Sequence, residues 1–168
     1  MNDQNGENDQ TPPARSPNGA AAFERVGTFL ANDGWFPQKN EEKSVYRMVF
    51  EGQNGEQRCF AQIRQDLEQL VFYAVAPIKV PEVTRAAVAE FITRANYGMR
   101  IGNFEMDFND GEVRYKSALD FEGATLDDAL IRNVLYPAVQ TLDRYIPGIM
   151  AVAFGNREPA TVIAEIEG

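Results

Sequence analysis

The 168-residue sequence contains no histidine and a single cysteine, Cys59, and these scarcities exclude much enzyme chemistry. Without histidine there is no Ser-His or Cys-His pair, and the commonest general base and zinc ligand are missing. One cysteine cannot form an intrachain disulfide, which fits a reducing cytoplasm. Cys59 lies in a strand-like run, so we interpret it as a small core residue. We therefore expect no catalytic residues, no cofactor and no bound metal.

Positive charge is also scarce, because 16 Lys and Arg residues stand against 25 Asp and Glu, for a formal net charge of −9. A nucleic-acid binder needs a basic face to displace counterions from phosphates, so we expect no nucleic-acid partner. No stretch of roughly 18 uninterrupted apolar residues occurs, so we expect no transmembrane helix and no membrane partner. The polar start MNDQNGENDQ lacks the features of a signal peptide. These observations predict a cytoplasmic protein.

What the sequence does contain is enough apolar residues, 44%, for one ordinary core. Residues 1–19 are almost entirely polar and cannot repay the entropy of ordering, so they are predicted to form a disordered tail. Residues 20–168 are predicted to form a single domain.

Hydrophobic periodicity divides this domain into helices and strands. Apolar residues recur at helical spacing over 20–33, 82–97 and from Thr125 onward, and Pro159 opens a last short helix. Strand-like runs cover 44–51, 58–65, 69–76, 101–108 and 112–121. The order helix, three strands, helix, two strands, helices predicts an α+β fold in which helices pack on an antiparallel sheet.

Several residues mark expected turns and breaks within this pattern. Asn54-Gly55 is a hairpin signal between the first two strands, since both residues tolerate positive φ. A change of alternation near Gly102 predicts a β-bulge. We expect Pro77 to end the third strand, Pro137 to kink the long helix, and Pro147 to end or restart it.

The acidic hairpin NFEMDFNDGEVRYK is the best candidate for a metal or catalytic site. Its Asp107, Asn109 and Asp110 lack one residue of the calcium-loop spacing, and position twelve from Asp107 is Ala118, so the ligand ring cannot close. Glu105 and Asp107 share a predicted strand face, on which two carboxylates could act together. The preferred interpretation is cross-strand charge pairing with two basic residues of the next strand, Arg114 and Lys116.

The arrangement as a whole resembles the bacterial YbjN-like family, whose members are described as putative sensory transduction regulators. The resemblance is carried by residues 91–96, 102–107 and 110–115, and by the segment from Tyr145; it extends over about 22–167. It implies a fold like that of the small dimeric chaperones of type III secretion, which are not enzymes and bind an extended segment of another protein. The family has no established catalytic or binding residues to carry over.

The predicted function is therefore that of a non-enzymatic regulatory or chaperone-like protein that acts through protein contact, with a homodimer as the expected state. Candidate interface residues are Phe72, Tyr73, Ile149 and Met150, with core burial as the alternative for each, and the protein-binding residues as a set stay unknown. Two alternatives stay open. One is a small-ligand-binding domain or weak hydrolase centred on Glu105 and Asp107, and the other is a secretion chaperone proper.

Overall fold

The computed structural model describes residues 15–168, which follow the predicted order of elements with one additional strand. The helices are α1 (Pro17–Asn32), α2 (Arg85–Asn96), α3 (Asp128–Phe154) and α4 (Pro159–Glu167), and a 3₁₀ turn (Glu82–Thr84) precedes α2. The strands are β1 (Gln38–Asn40), β2 (Val45–Glu51), β3 (Glu56–Arg64), β4 (Gln69–Lys79), β5 (Asn103–Met106) and β6 (Glu112–Asp120). The predicted α+β class is confirmed.

The strands form one antiparallel sheet in the order β1-β2-β3-β4-β6-β5. The third predicted strand, β4, lies in its interior, as its apolar character indicates. Side chains alternate between two faces. One face carries Tyr46, Phe72 and Tyr115, which are fully or almost fully buried beneath the helices. The core lies between this face and α1–α3, with α4 packed on α2 and α3.

Trp35 follows α1 and closes one end of this core. Its ring contacts Phe50, Phe72 and Tyr136 at centroid distances of 5.6, 6.3 and 5.7 Å. Its indole N–H donates to the carboxylate of Asp33 at 3.2 Å, so the polar atom of this buried ring has a partner.

The prediction that Pro147 ends or restarts the long helix is wrong, because α3 runs through both Pro137 and Pro147. A proline inside a helix leaves the carbonyl four residues earlier without its usual donor. For Pro147 that carbonyl belongs to Asp143, and the side-chain amide of Asn54 donates to it at 3.0 Å. The loop of the β2–β3 hairpin thus supplies the hydrogen bond that the proline removes.

The prediction that Pro77 ends the third strand is also wrong, since β4 continues to Lys79. The register between β4 and β6 shifts between Val75 and Lys79, so Pro77 lies where the ladder is already interrupted. Gly102, expected in a bulge, instead has φ of 77° and directly precedes β5. β5 ends at Met106, so Phe108 lies beyond the strand and is exposed.

The start of the domain also differs from the prediction. The first fourteen residues of the predicted tail lie outside the described residues. α1 begins at Pro17, three residues earlier than predicted, because Ser16 caps it by accepting a hydrogen bond from the Gly19 N–H at 2.8 Å. At the other helix, the start predicted at Thr125 moves to Asp128, since Asp127 is the residue that caps α3.

Candidate protein-interaction surface

In the acidic hairpin, Glu105 lies directly opposite Arg114 on the paired strands β5 and β6. Its carboxylate accepts from the Arg114 guanidinium at 2.8 Å and also pairs with Lys116. Burial is the largest single influence on this carboxyl and acts to raise its pKa. The hydrogen bonds and charges of Lys116 and Arg114 outweigh burial and hold the pKa of Glu105 below its usual value. An ionised, doubly paired carboxylate of this kind holds strands together.

Asp107 follows the last residue of β5, and its N–H still donates to the Glu112 carbonyl at 2.9 Å. The Asp107 carboxylate accepts from the backbone N–H and the side-chain amide of Asn109, at 2.8 and 2.9 Å. Asp110 pairs with Lys79 and accepts from the Glu112 N–H at 3.0 Å. These are turn-forming contacts. Glu105 and Asp107 both line one cavity of about 500 Å³, as expected for residues two apart, but the two carboxylates are engaged with different partners.

Cys59 is completely buried in the core, as predicted. Burial raises the pKa of its thiol to about 12, so the nucleophilic thiolate form is scarce at neutral pH. Within residues 15–168, no three carboxylate or thiolate groups converge in the way a metal site requires. No helix in the same range is long and apolar enough to span a membrane.

The four candidate interface residues separate into two groups. Phe72 and Ile149 are fully buried in the core, which is the alternative that the sequence left open. Tyr73 is half-buried on the sheet face that points away from the helices, and Met150 on α3 is 39% exposed. Only these last two are available for contact with another molecule.

The sheet face opposite the helices, here called the open face, is the broadest patterned surface of the described chain. Its central strands place apolar side chains next to each other across the ladder, with Phe60 opposite Tyr73. Arg114 stacks on the Tyr73 ring with 4.2 Å from Cζ to the centroid, and Arg47 lies 5.9 Å above Phe60. The face is therefore aromatic at its centre with cations directly over the rings.

The open face carries charges of both signs, and its carboxylates lie mainly at the strand ends and on β5. Its central cations are Arg47, Arg58, Arg114 and Lys116. Glu105 binds the last two, and Arg58 makes only a long contact, 3.5 Å, with Glu112. Among the described residues, no carboxylate lies within 4 Å of Arg47. On a chain with net charge −9, a cation such as Arg47 without a nearby carboxylate is a feature that charge counting could not reveal.

A groove with a volume of about 780 Å³ borders the open face along the outer edge of β2. Its walls come from the loop after α1, from β2 and β3, and from α3, and they include Trp35, Phe36, Val49, Phe50 and Tyr136. Phe36 is 88% exposed and has φ of 49°, in the left-handed region that bulky residues avoid. The sequence carried no signal for this position, since a positive φ is not expected for phenylalanine.

The groove exists because β1 is short. β1 pairs with Val45, Tyr46 and Arg47 only, whereas β2 continues to Glu51. The Gly52 N–H donates to the Gly55 carbonyl across the hairpin. The backbone N–H and C=O groups of even-numbered β2 residues therefore bond to β3, and those of odd-numbered residues point away from β3. Within residues 15–168, no group bonds to the outward N–H and C=O groups of Val49 and Glu51. We call this two-residue segment the free edge.

At the other edge of the sheet, the outward backbone of Phe104 in β5 is paired by a residue that sequence reasoning did not single out. The side-chain amide of Asn96, at the end of α2, donates to the Phe104 carbonyl at 3.1 Å. Its oxygen accepts from the Phe104 N–H at 2.7 Å. Asn96 thus gives this backbone the pair of bonds that a neighbouring strand would give.

Comparison with known proteins agrees with this fold. The family model "YbjN: Putative bacterial sensory transduction regulator" matches residues 22–150. The chain is similar in structure to "YbjN, a putative transcription regulator from E. coli", with TM-score 0.54 and 11% identity over 76% of this chain and 89% of that one. It is also similar to a chain of the HopA1-SchA chaperone–effector complex, with TM-score 0.55 and 8% identity over 80% of this chain and 99% of that one.

At these identities the two structures show a shared fold, and they confirm the predicted chaperone-like architecture. Among curated proteins, no sequence matches the chain.

Proposed function

Because the chain belongs to the YbjN family, we propose that it is a cytoplasmic, non-enzymatic regulator that binds another protein through the open face of its sheet. The family and the chaperone-like fold fit a role in protein interaction. The single observation that carries the proposed surface is the aromatic pair Phe60–Tyr73 with Arg47 and Arg114 lying over its rings. Aromatic and arginine side chains are the residue types that most often dominate the energy of protein interfaces.

The charge of this surface indicates the kind of partner. Arg47 has no carboxylate within 4 Å in the described chain, and Arg58 has only the distant Glu112. A partner that brings carboxylates to this face gains attraction with little desolvation of existing ion pairs. The regulator is therefore expected to prefer an acidic protein surface, and its binding should weaken as ionic strength rises.

The proposal is tested by affinity capture from native lysate with a matched pair of variants. Phe60→Ser alters the open face, and Tyr97→Ser removes an aromatic ring that is 95% exposed at the end of α2. The expected result is one protein recovered at stoichiometric yield by the wild type and by Tyr97→Ser, and lost with Phe60→Ser. Equal recovery by both variants, or no recovery by a folded wild type, would contradict the proposal.

A homodimer is part of the proposal. Its support is apolar surface on the helix side of the sheet, away from the open face, where Met150 on α3 is 39% exposed. Sedimentation equilibrium in the high micromolar range measures the mass directly. A chain that sediments as a monomer of 18.8 kDa at these concentrations would rule out the dimer.

A second candidate is a secretion chaperone proper, favoured by the fold shared with a chain of a chaperone–effector complex. It differs from the regulator in its partner, which would be an exported protein kept partly unfolded. Identification of the captured protein by mass spectrometry decides between the two. The ligand-binding or hydrolytic alternative has less support, because Asp107 is engaged in its turn while Glu105 is paired with two cations.

A further inference from the structure

We infer that the free edge of β2 receives an extended segment of the partner protein as an added strand. This segment carries an apolar side chain toward Trp35 and Phe50 and an acidic side chain toward Arg47 and Arg58. The inference rests on the proposed function, since it locates where part of the partner binds. It comes from three separate features of the groove: its backbone, its two walls and Phe36.

The backbone of the free edge is ready to pair with another strand. Val49 and Glu51 each present one N–H and one C=O away from β3, on the side where β1 has already ended. In an antiparallel ladder, every second residue bonds to the same neighbouring strand. A short extended segment can therefore satisfy all four groups of Val49 and Glu51. β1 blocks the positions opposite Val45–Arg47, which limits the added strand to the remaining part of β2.

The two walls of the groove differ in chemistry, and an added strand would meet both because its side chains alternate. Next to Phe50, on the helix side, lie the rings of Trp35 and Tyr136, which contact each other at 5.7 Å. Next to Val49, on the open face, lie Arg47 and Arg58, with the Glu51 carboxylate at the far end of the same strand. Apolar and acidic residues in alternation complement these walls.

The third feature is Phe36, a lining residue of the groove. Its ring is exposed, and its backbone holds a conformation that costs a bulky residue energy without any packing gain inside the chain. Backbone strain of this kind gathers at binding sites, where the contact with a ligand compensates for it. A bound segment would cover the Phe36 ring.

The test uses a fluorescein-labelled peptide, Gly-Thr-Leu-Glu-Leu-Thr, and measures its fluorescence anisotropy with the full chain. We expect saturable binding below about 1 mM, as befits a short strand with few contacts. Two control peptides sharpen the result. Lysine in place of the glutamate removes the charge match. N-methylation of the glutamate amide and of the amide of the threonine before the first leucine removes the backbone donors that would face Val49 and Glu51. Each control is expected to bind about tenfold more weakly, the effect of losing one well-made hydrogen bond or ion pair.

Three protein variants locate the binding. Val49→Pro removes a donor of the free edge without touching the β3 side, and Phe36→Ser removes the lining ring. Both should weaken binding about tenfold, whereas Tyr97→Ser, which removes an equally exposed ring elsewhere, should leave it unchanged. Circular dichroism establishes that each variant is folded. Binding that Val49→Pro does not change, or no binding of any peptide to the folded wild type, overturns the inference.

A photo-crosslinking residue at position 36 or 73 then separates this inference from the proposed function. A partner protein crosslinked at both positions supports both. A partner crosslinked at position 73 alone keeps the proposed function and overturns the added strand. A second copy of this chain crosslinked at position 36 also overturns it, because the occupant of the edge is then the homodimer. With no foreign protein crosslinked at either position, the proposed function itself fails.

Discussion

At one edge of the sheet Asn96 pairs with the outward backbone of Phe104 at the centre of β5, whereas at the other edge β2 runs past the end of β1 with Val49 and Glu51 unpaired within the described chain. Sheet edges invite association with other strands, and proteins usually cover or interrupt them. Here a single amide side chain satisfies both outward groups of one edge residue, so covering an edge position is structurally simple for this fold. That the other edge stays open beside an aromatic groove is what suggests a binding role for it.

The largest expected effect concerns which way the β2 backbone points. Phe50→Pro removes an N–H that bonds toward β3, so we expect a loss of about 2–4 kcal/mol in the free energy of unfolding. Val49→Pro removes an N–H that points outward and should cost less than about 1 kcal/mol. Urea titration followed by circular dichroism measures both. Phe50→Ala is the control, because it removes the ring that packs on Trp35 but keeps the backbone N–H. The difference between Phe50→Pro and Phe50→Ala is then the cost of losing the N–H. Similar costs for the two prolines would show that the edge is not free.

The covered edge position is tested with Asn96→Ala. The change leaves the Phe104 N–H and C=O without partners next to the core, and we expect a loss of about 2 kcal/mol in unfolding free energy. Asn96→Asp keeps the acceptor for the Phe104 N–H but loses the donor to the Phe104 carbonyl. Its unfolding free energy should therefore lie between those of the wild type and Asn96→Ala. Tyr97→Ala at the neighbouring exposed position is the control and should have little effect. If Asn96→Ala matched that control, Asn96 would not be covering Phe104.

The third prediction compares the charges at the two ends of the open face. Glu105→Gln leaves Arg114 and Lys116 without their shared carboxylate, and we expect a loss of about 0.5–1 kcal/mol at pH 7. The folded-state pKa of Glu105 is depressed, so its contribution is full above the unfolded value near 4.5 and declines as pH falls through the folded pKa. The stability gap between wild type and variant should therefore narrow below about pH 4.5.

Urea titrations between pH 3 and 7 follow this gap. Arg47→Gln, which removes a cation that has no carboxylate within 4 Å in the described chain, is the matched control. It should leave stability nearly unchanged across the same pH range. A gap for Glu105→Gln that stays constant down to pH 3 would show that the ion pairs contribute nothing.

The smallest expected effect is a gain in stability. Phe36→Asn replaces a bulky residue at φ of 49° with one that tolerates this conformation, and we expect about 0.5 kcal/mol of added unfolding free energy. The same variant should bind the labelled peptide more weakly. Its stability would then rise while its affinity falls. Thermal unfolding reports the first effect and peptide anisotropy the second. Tyr97→Asn, at a position without positive φ, should show neither effect.

Much of the fold could be predicted because burial in the core requires apolar residues at regular spacing along each strand and helix. Tyr46 and Met48 alternate on a half-buried strand, and Asn54-Gly55 lies in the turn that follows it. β1 was not predicted, since three polar residues carry no apolar alternation; its pairing depends on the neighbouring strand being in place. Pro147 misled the prediction because the donor that compensates for it, Asn54, lies far away in the sequence.

The candidate site was less predictable than the fold. The acidic hairpin attracted attention because its residue types are those of metal sites, yet Glu105 and Asp107 take separate roles. The open face and the free edge gave no motif at all. Arg47, Val49 and Phe60 are ordinary strand residues, and their importance depends on which strands lie beside them and where β1 ends.

The sequence by itself determined the class of this protein: an α+β domain of the YbjN family, without histidine chemistry and with one buried thiol. These properties follow from composition and from periodic burial, which are local. The tertiary structure alone decided that Asn96 covers Phe104 at one sheet edge and that the other edge is open beside Phe36. Whether a backbone N–H or C=O is satisfied depends on groups brought to it by folding, and no property of Val49 or Phe104 alone could reveal it.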